Sequence, residues 1–451
     1  MHSAATNRKP KGHSNIPDAG SGFGSTKSAA DAPLIRAFCE CVGAWSIRGA
    51  LTLAVVSALV LIVMAGRPAQ AQTETVLYNF TGGSDGYDIA SSLTPDGAGN
   101  FYGTAVAGGL GEGYSGYGTV FELSPNGNGS WTETTLYSFC SAPNCTDGAY
   151  PDFSHLIFDA AGNLYGTAYS GGANGYGVVF ELSPVGTSWT ETVLYSFAGG
   201  ADGEHPFSGL IMDGAGNLYG IAYYDPDGTV FELSPSGSGW TEQVIYSYNS
   251  CCNQGFGGLT MDAAGNIFGA EGSTAFELSP SGNGGWTATV IHTFAGAPKD
   301  GDVAQYIPVL DQAGNLYGTT AEGGTKNCGT VYKLSPEKKG KWKEKILYSF
   351  KGTYDESGKD GNVPAGIVLD SAGNIYGATG HGGEPDMGTV FELVAPVGKG
   401  SYKEKILWVF NGTDGAYPGD DNLILDSAGN LYGTATFGGS SNAGVVFEVT
   451  P

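Results

Sequence analysis

From residue 72 to its end the chain is one sequence unit written seven times, and that repetition constrains its fold more than any other feature. Three signatures recur. An ETVLYSF-like run begins at Glu74, Glu133, Glu191, Glu242, Ala288, Glu344 and Glu404. An AGN-(Leu/Ile/Phe)-(Tyr/Phe)-Gly run has its Asn at Asn100, Asn163, Asn217, Asn266, Asn315, Asn374 and Asn430. A VFEL-like run has its aromatic at Phe121, Phe180, Phe231, Phe276, Tyr332, Phe391 and Phe447. Successive copies of the first run lie 59, 58, 51, 46, 56 and 60 residues apart, a unit of somewhat over fifty residues.

Each unit holds four short apolar or aromatic runs; in the second copy they fall at 155–159, 163–169, 176–183 and 189–197. A Gly-bearing turn separates the first two, and a Ser-Pro turn with small residues separates the last two. Four antiparallel strands joined this way make one blade of a β-propeller. A blade cannot bury both faces alone, so neighbours must stack into a ring. The first copy enters at its fourth-strand run, 73–80, and the last copy stops after its third-strand run, 444–451. Paired together they complete one blade and remove an exposed sheet edge. The expected fold is therefore all-β: a seven-bladed propeller of four-stranded antiparallel blades, residues 72–451, closed by the N-terminal strand in the last blade.

These motifs, standing here as LYSF, DG-x-x-P, LI-x-D-x-AGNLYGT, a Gly-rich link and GTVFELSP (for instance across 136–184), resemble the GloVer-type tandem repeat family of choice-of-anchor tandem repeat proteins. The resemblance covers essentially all of 72–451 and implies an exported protein; no activity follows from it. Members typically carry a C-terminal sorting or anchoring segment. This sequence ends inside the last blade, so the expectation is free secretion or periplasmic residence.

Residues 1–71 read as an export leader: a basic, Ser- and Gly-rich stretch, an apolar run over 50–65, and Ala69-Gln70-Ala71 as a signal-peptidase site. Cleavage is expected after Ala71, leaving no membrane-inserted segment. An uncleaved anchor is the weaker reading, because about 16 apolar residues are marginal for a span. No Cys follows the apolar run to make a lipoprotein.

The whole chain has a net charge of −24, but all seven Arg and Lys of the leader are lost on cleavage. From Gln72 onward there are 13 Lys, no Arg and 41 acids, a net charge of −28, with every Lys between Lys299 and Lys405. Nucleic acid is excluded as a partner by the lack of a basic footprint. Without Arg there is no bidentate clamp for carboxylate, sulfate or phosphate. Of the five cysteines after Ala71, Cys140 and Cys145 close a short loop and are expected to pair. Adjacent Cys251 and Cys252, with Cys328, leave an odd thiol whose pairing stays open.

In a propeller the fourth-to-first and second-to-third loops share one rim. Here those loops vary in length and residue choice, while the opposite rim repeats Asp-x-Ala-Gly-Asn and Ser-Pro turns. Binding loops on rigid scaffolds vary in this way, so a ligand is sought on the variable rim. Six Asp-Gly pairs recur there, at Asp85, Asp147, Asp202, Asp300, Asp360 and Asp414; the remaining copy has Cys251-Cys252-Asn253-Gln254-Gly255. They read first as turn caps with a glycine at positive φ. The functional alternative is a carboxylate ring that attracts calcium. A second acidic set, Asp159, Asp213, Asp262, Asp311, Asp370 and Asp426, precedes the AGN turns and reads as Asx-type stabilisation; the first copy, with Pro95-Asp96, reads as shifted by one residue.

Irregular polar residues on the variable rim carry more information, because the repeat does not demand them: Asp152, Glu204, His205, Asp225, Asp227, Glu271, Asp302, Glu322, Asp355, Glu356, His381, Glu384, Asp386, Asp420 and Asp421. With the Asp-Gly carboxylates they nominate Asp147, Asp202, Glu204, His205, Asp360, His381 and Asp414 as ligand-contacting residues. No Gly-x-Ser-x-Gly, His-Glu-x-x-His, phosphate loop or dinucleotide fingerprint occurs. The Trp residues opening the outer strands read as packing, with sugar stacking as the alternative. The expected function is a monomeric binding or interaction module for a neutral glycan or a surface protein. The competing expectation is a polysaccharide- or lactone-active hydrolase or lyase with scattered rim residues as its site.

Overall fold

The computed structural model describes residues 72–451 except 112, 225–226, 250–256, 283, 353–359 and 420–421. The expected leader therefore lies outside the described residues, as do Cys251, Cys252, Asp225, Asp355, Glu356, Asp420 and Asp421. Seven antiparallel sheets with a four-strand path form a seven-bladed β-propeller. In the second blade the strands are Ile157–Phe158, Leu164–Ala168, Val178–Val185 and Ser188–Ser196. The seventh blade takes Thr73–Asn79 as its fourth strand: it pairs antiparallel with Val445–Thr450, from Thr73 opposite Thr450 to Asn79 opposite Val445.

The repeat signatures are explained by how the blades pack. The VFEL aromatic is fully buried in every blade, or nearly so for Tyr332 and Phe276. It lies over the glycine of the paired AGN-x-Tyr-Gly strand, where a Cβ on Gly103 or Gly166 would come within 2.6 or 2.7 Å of the Phe121 or Phe180 ring. Only glycine lets the two strands and the ring coexist. The LYSF phenylalanine then reaches into the next blade, edge-on to its aromatic: Phe80 to Phe121 at 5.0 Å, Phe139 to Phe180 at 5.1 Å and Phe410 to Phe447 at 5.0 Å. Such contacts add directional preference to the hydrophobic burial that joins the blades. Across the closure, Thr434 Oγ1 donates to Ser91 O at 2.9 Å, and Phe80 N donates to Gly444 O at 3.1 Å.

Every pairing of third and fourth strands carries a register shift, as between Val120 and Phe121, where Leu136 is the extra residue of the outer strand. A bulge of this kind increases strand twist. The AGN turns hold the inner hairpin together. Asp159 Oδ1 accepts from Ala161 N at 2.8 Å and Asn163 N at 2.9 Å, and its Oδ2 accepts from Asn163 Nδ2 at 2.8 Å. Asp96 makes the same three bonds to Ala98 N, Asn100 N and Asn100 Nδ2. The one-residue shift read for the first copy is therefore absent: Asp96 stands four residues before its Asn, as Asp159 does, and the geometry of the turn depends on that separation. Among the described residues no helix is long and apolar enough to cross a membrane.

Candidate functional site

The loops on the variable rim are shaped by the Asp-Gly carboxylates. Asp147 Oδ2 accepts from Tyr137 OH at 2.7 Å, Ser141 N at 2.8 Å and Ser141 Oγ at 2.8 Å. Asp85 accepts from Tyr78 OH, Thr81 N and Thr81 Oγ1 at 3.1, 2.8 and 2.6 Å. Asp202 takes Tyr195 OH and Ala198 N, and Asp360 takes Tyr348 OH and Lys351 N. Where the LYSF tyrosine is replaced, another ring stands in. Trp408 Nε1 donates to Asp414 at 3.1 Å, and His292 Nε2 lies 3.4 Å from Asp300. Each carboxylate thus binds the loop that follows its own outer strand. Cys140 and Cys145, in the loop capped by Asp147, are disulfide-bonded, and Cys328 is a buried free thiol. Among the described residues no three His, Cys, Asp or Glu side chains converge to hold a metal ion.

A second carboxyl approaches each of these aspartates from the neighbouring blade. Burial first, and then the charge of Asp414, Asp147, Asp202 or Asp300, pushes Glu74, Glu191, Glu242 and Glu344 up to about 7. Glu133 reaches about 7 by burial and the charge of Asp85, against a hydrogen bond from Thr135 that opposes the shift. Glu404 is pushed up to about 8 by burial, and then by its hydrogen bond to Asp360 and the charge of that group. Tyr348 OH lies 3.0 Å from both Asp360 Oδ2 and Glu404 Oε2. One phenol proton cannot serve two carboxylates, so a proton held by Glu404 completes the cluster. The sequence reading missed these pairs, although the Glu of ETVLYSF was present in six of the seven copies.

Two residues beyond each Asp-Gly pair the backbone turns left-handed at a non-glycine residue: Asp88, Tyr150, His205, Val303, Val363 and Tyr417, with φ between 51° and 66°. In most joints this residue is stitched to the preceding blade by its N–H, as from Tyr150 N to Tyr117 O and His205 N to Tyr176 O, both 2.7 Å. The repeat fixes that backbone and leaves the side chain free to vary. The side chains at and around these positions form aromatic groups on the rim. Tyr114 lies 4.5 Å from Tyr87, which lies 6.1 Å from Phe437. Phe437 continues at 6.4 Å to Tyr417, and Tyr417 at 5.3 Å to His381. Tyr114 is 66% exposed and Tyr417 is 38% exposed. Burial raises Asp88, beside this row, to about 6. In a second group His205 stacks on Tyr169 at 4.3 Å with Nδ1 2.8 Å from Tyr169 O, and Tyr169 meets Phe207 at 5.6 Å.

The irregular polar residues fall around these groups unevenly. His381 Nδ1 is 3.6 Å from Asp386 Oδ2. Asp152 and Glu204 both lie close enough to Tyr169 to raise its phenol pKa, after burial. Asp302 pairs with Glu322 across a two-residue ladder. Glu384 is exposed, whereas Glu271 is buried and pushed up to about 8 by that burial. Of the nominated ligand residues, His205 with Glu204 and His381 stand among the aromatic groups, while Asp147, Asp202, Asp360 and Asp414 sit within their loop caps. Tyr87, Tyr114, Tyr417, Phe437 and Asp88 were not nominated. For Asp88 and Tyr417 the signal was available in the variable fourth position of DG-x-x; Tyr87, Tyr114 and Phe437 stand elsewhere in the loops and carried none.

A closed ring of seven sequence-related blades, with uniform turns at one rim and varied aromatic loops at the other, defines a tandem-repeat β-propeller. The chain belongs to the Gloeobacter/Verrucomicrobia repeat family, whose model matches residues 67–273 and 269–451. No curated protein matches it. Similar solved structures include a protein from Bacteroides uniformis assigned as a 6-phosphogluconolactonase, at 12% identity over 70% of this chain and 84% of that one, with a TM-score of 0.47. A protein from Lactobacillus plantarum matches at 11% identity over 74% and 95%, with a TM-score of 0.47. A luciferin-regenerating enzyme matches at 9% over 84% and 96%, with a TM-score of 0.42. At these identities and scores none of the three bears on what this chain does.

Proposed function

We propose that the chain is an exported, non-catalytic propeller that binds a neutral carbohydrate on its variable rim. The observation that carries this reading is the aromatic row from Tyr114 through Tyr87, Phe437 and Tyr417 to His381, which runs across loops of three successive blades and includes the exposed rings of Tyr114 and Tyr417. Flat rings offer faces to the C–H surfaces of sugars, and Asp88 and Asp386 stand beside the row as acceptors for hydroxyl groups. The net charge of −28 beyond residue 71, without Arg, disfavours anionic polymers.

A glycan array run beside hydrolase, lyase and esterase substrates tests the proposal. Binding of a neutral glycan that weakens at least ten-fold in Tyr417→Ala, without turnover of any substrate, is the expected result. The pairing of His381 with Asp386 favours an enzymic second reading, in which His381 serves as a base. Turnover abolished by His381→Ala would establish that reading in place of the first.

A further inference from the structure

The rim with the uniform turns also carries a cavity. Between the fourth and fifth blades lies a cleft of about 660 Å³ lined by Phe268, Glu277, Leu310, Gln312, Pro336 and Trp342. One residue of its wall departs from the repeat in a way that bears on its chemistry. Every other AGN motif is followed by a tyrosine at the second position, and here that residue is Phe268.

The joint before it shows what the missing hydroxyl does. Between the third and fourth blades, Tyr219 OH reaches Asp213 Oδ2 at 3.1 Å and Glu232 Oε1 at 3.5 Å, and Trp286 Nε1 donates to Glu232 Oε2 at 3.1 Å. Phenol and indole thus share one carboxylate in that joint. One blade further on, Phe268 has no hydroxyl to offer Glu277, whose hydrogen bond is a long one of 3.3 Å from Ser279 Oγ. Trp342 packs edge-on to Phe268 with centroids 5.8 Å apart, and no bond from its Nε1 to Glu277 forms. An indole donor and a carboxylate acceptor thus face one cleft beside an aromatic wall. Asp262 and Asp311 at its edge are each occupied by three bonds from their own AGN turns.

We infer that this cleft is a second carbohydrate-binding site, which takes one neutral sugar unit against Trp342 with its hydroxyls bonded to Glu277 and to the Trp342 indole N–H. A sugar hydroxyl both donates and accepts, and the cleft supplies both partners; an ammonium group would leave the indole N–H unmatched. An anionic sugar would meet Glu277, Asp262 and Asp311. The inference rests on the carbohydrate reading for its ligand class but not for its location.

The test is calorimetric titration of the full chain with neutral gluco-, xylo- and manno-hexaoses, and with tetramethylammonium as a cationic probe. The variants are Phe268→Tyr, Trp342→Ala and, on the opposite rim, Tyr417→Ala. Phe268→Tyr installs the residue that the other six copies carry, so it preserves the fold while its hydroxyl takes up the Glu277 acceptor, as Tyr219 does with Glu232. A hexaose affinity at least ten-fold weaker in both Phe268→Tyr and Trp342→Ala, with a second binding event lost only in Tyr417→Ala, supports both sites. Hexaose binding lost in Tyr417→Ala and unchanged in Phe268→Tyr overturns this inference and leaves the rim reading standing. Tetramethylammonium binding that Phe268→Tyr abolishes, without hexaose binding there, overturns the ligand class. Heat from no hexaose overturns both readings.

Discussion

Substituting Glu404 by Gln isolates one inter-blade carboxyl pair. The native chain holds the Glu404 proton with a pKa of about 8 against an ordinary value of 4.5. The folded state therefore binds this proton more tightly than the unfolded state does. Its stabilising contribution is fully present below about 4.5, declines as pH rises, and is gone above about 8. The full shift corresponds to a ceiling of ~5 kcal/mol. Glu404 is only half-buried, and screening by solvent reduces this to roughly 1–2 kcal/mol. Unfolding entropies near ~2 cal/mol/K per residue translate that, for a ring of this length, into roughly 1–2 °C of melting temperature. A glutamine amide donates to Asp360 as the protonated acid does, but it cannot ionise. Glu404→Gln should therefore match the parent near pH 5 and melt roughly 1–2 °C above it near pH 9, by differential scanning calorimetry in matched salt. A difference between variant and parent that stays constant from pH 5 to 9 would refute the shared proton. All six pairs acting together should lower the parent's melting temperature by roughly 5–10 °C over the same range.

Deleting residues 72–81 removes the strand that completes the seventh blade and exposes the edge of Val445–Thr450; the melting temperature should fall sharply, and an unchanged melt would overturn the closure. Calcium should give no heat on titration and no rise in melting temperature, because the Asp-Gly carboxylates already accept from their own loops; a rise reversed by chelator would restore the calcium-ring expectation.

The architecture was legible because every blade uses the same few contacts. Phe121 over Gly103, and Asp159 under Asn163, are local arrangements that recur with their residues, so repetition in the sequence is repetition in space. The pairing of Thr73 with Thr450 was readable for a different reason: an incomplete unit at each end leaves one arrangement without a free edge. The candidate site was only partly readable. His205 and His381 stood out as exceptions to the repeat, but Tyr417 and Tyr87 looked like ordinary loop aromatics until the ring placed them beside Phe437. The Asp360–Glu404 pair was hidden for the opposite reason. Each partner belongs to a repeated motif, and nothing along the chain says that one blade's Asp meets the next blade's Glu across a joint.

The closing strand also sets an order in time. Thr73–Asn79 is made before any blade exists, yet its partner Val445–Thr450 is made about 370 residues later. At typical synthesis rates of about 5–20 residues per second, that strand waits on the order of tens of seconds. Blades one to six can assemble on their own local hairpins, whereas the seventh depends on a contact spanning nearly the whole ring. Contacts of such long sequence separation form slowly, so the late step of folding is the closing of a nearly finished circle. An apolar strand left unpaired for that interval is an aggregation hazard. Here the alternating Thr73, Glu74 and Thr75 place polar side chains at its leading end, which keeps the waiting strand a poor partner for copies of itself.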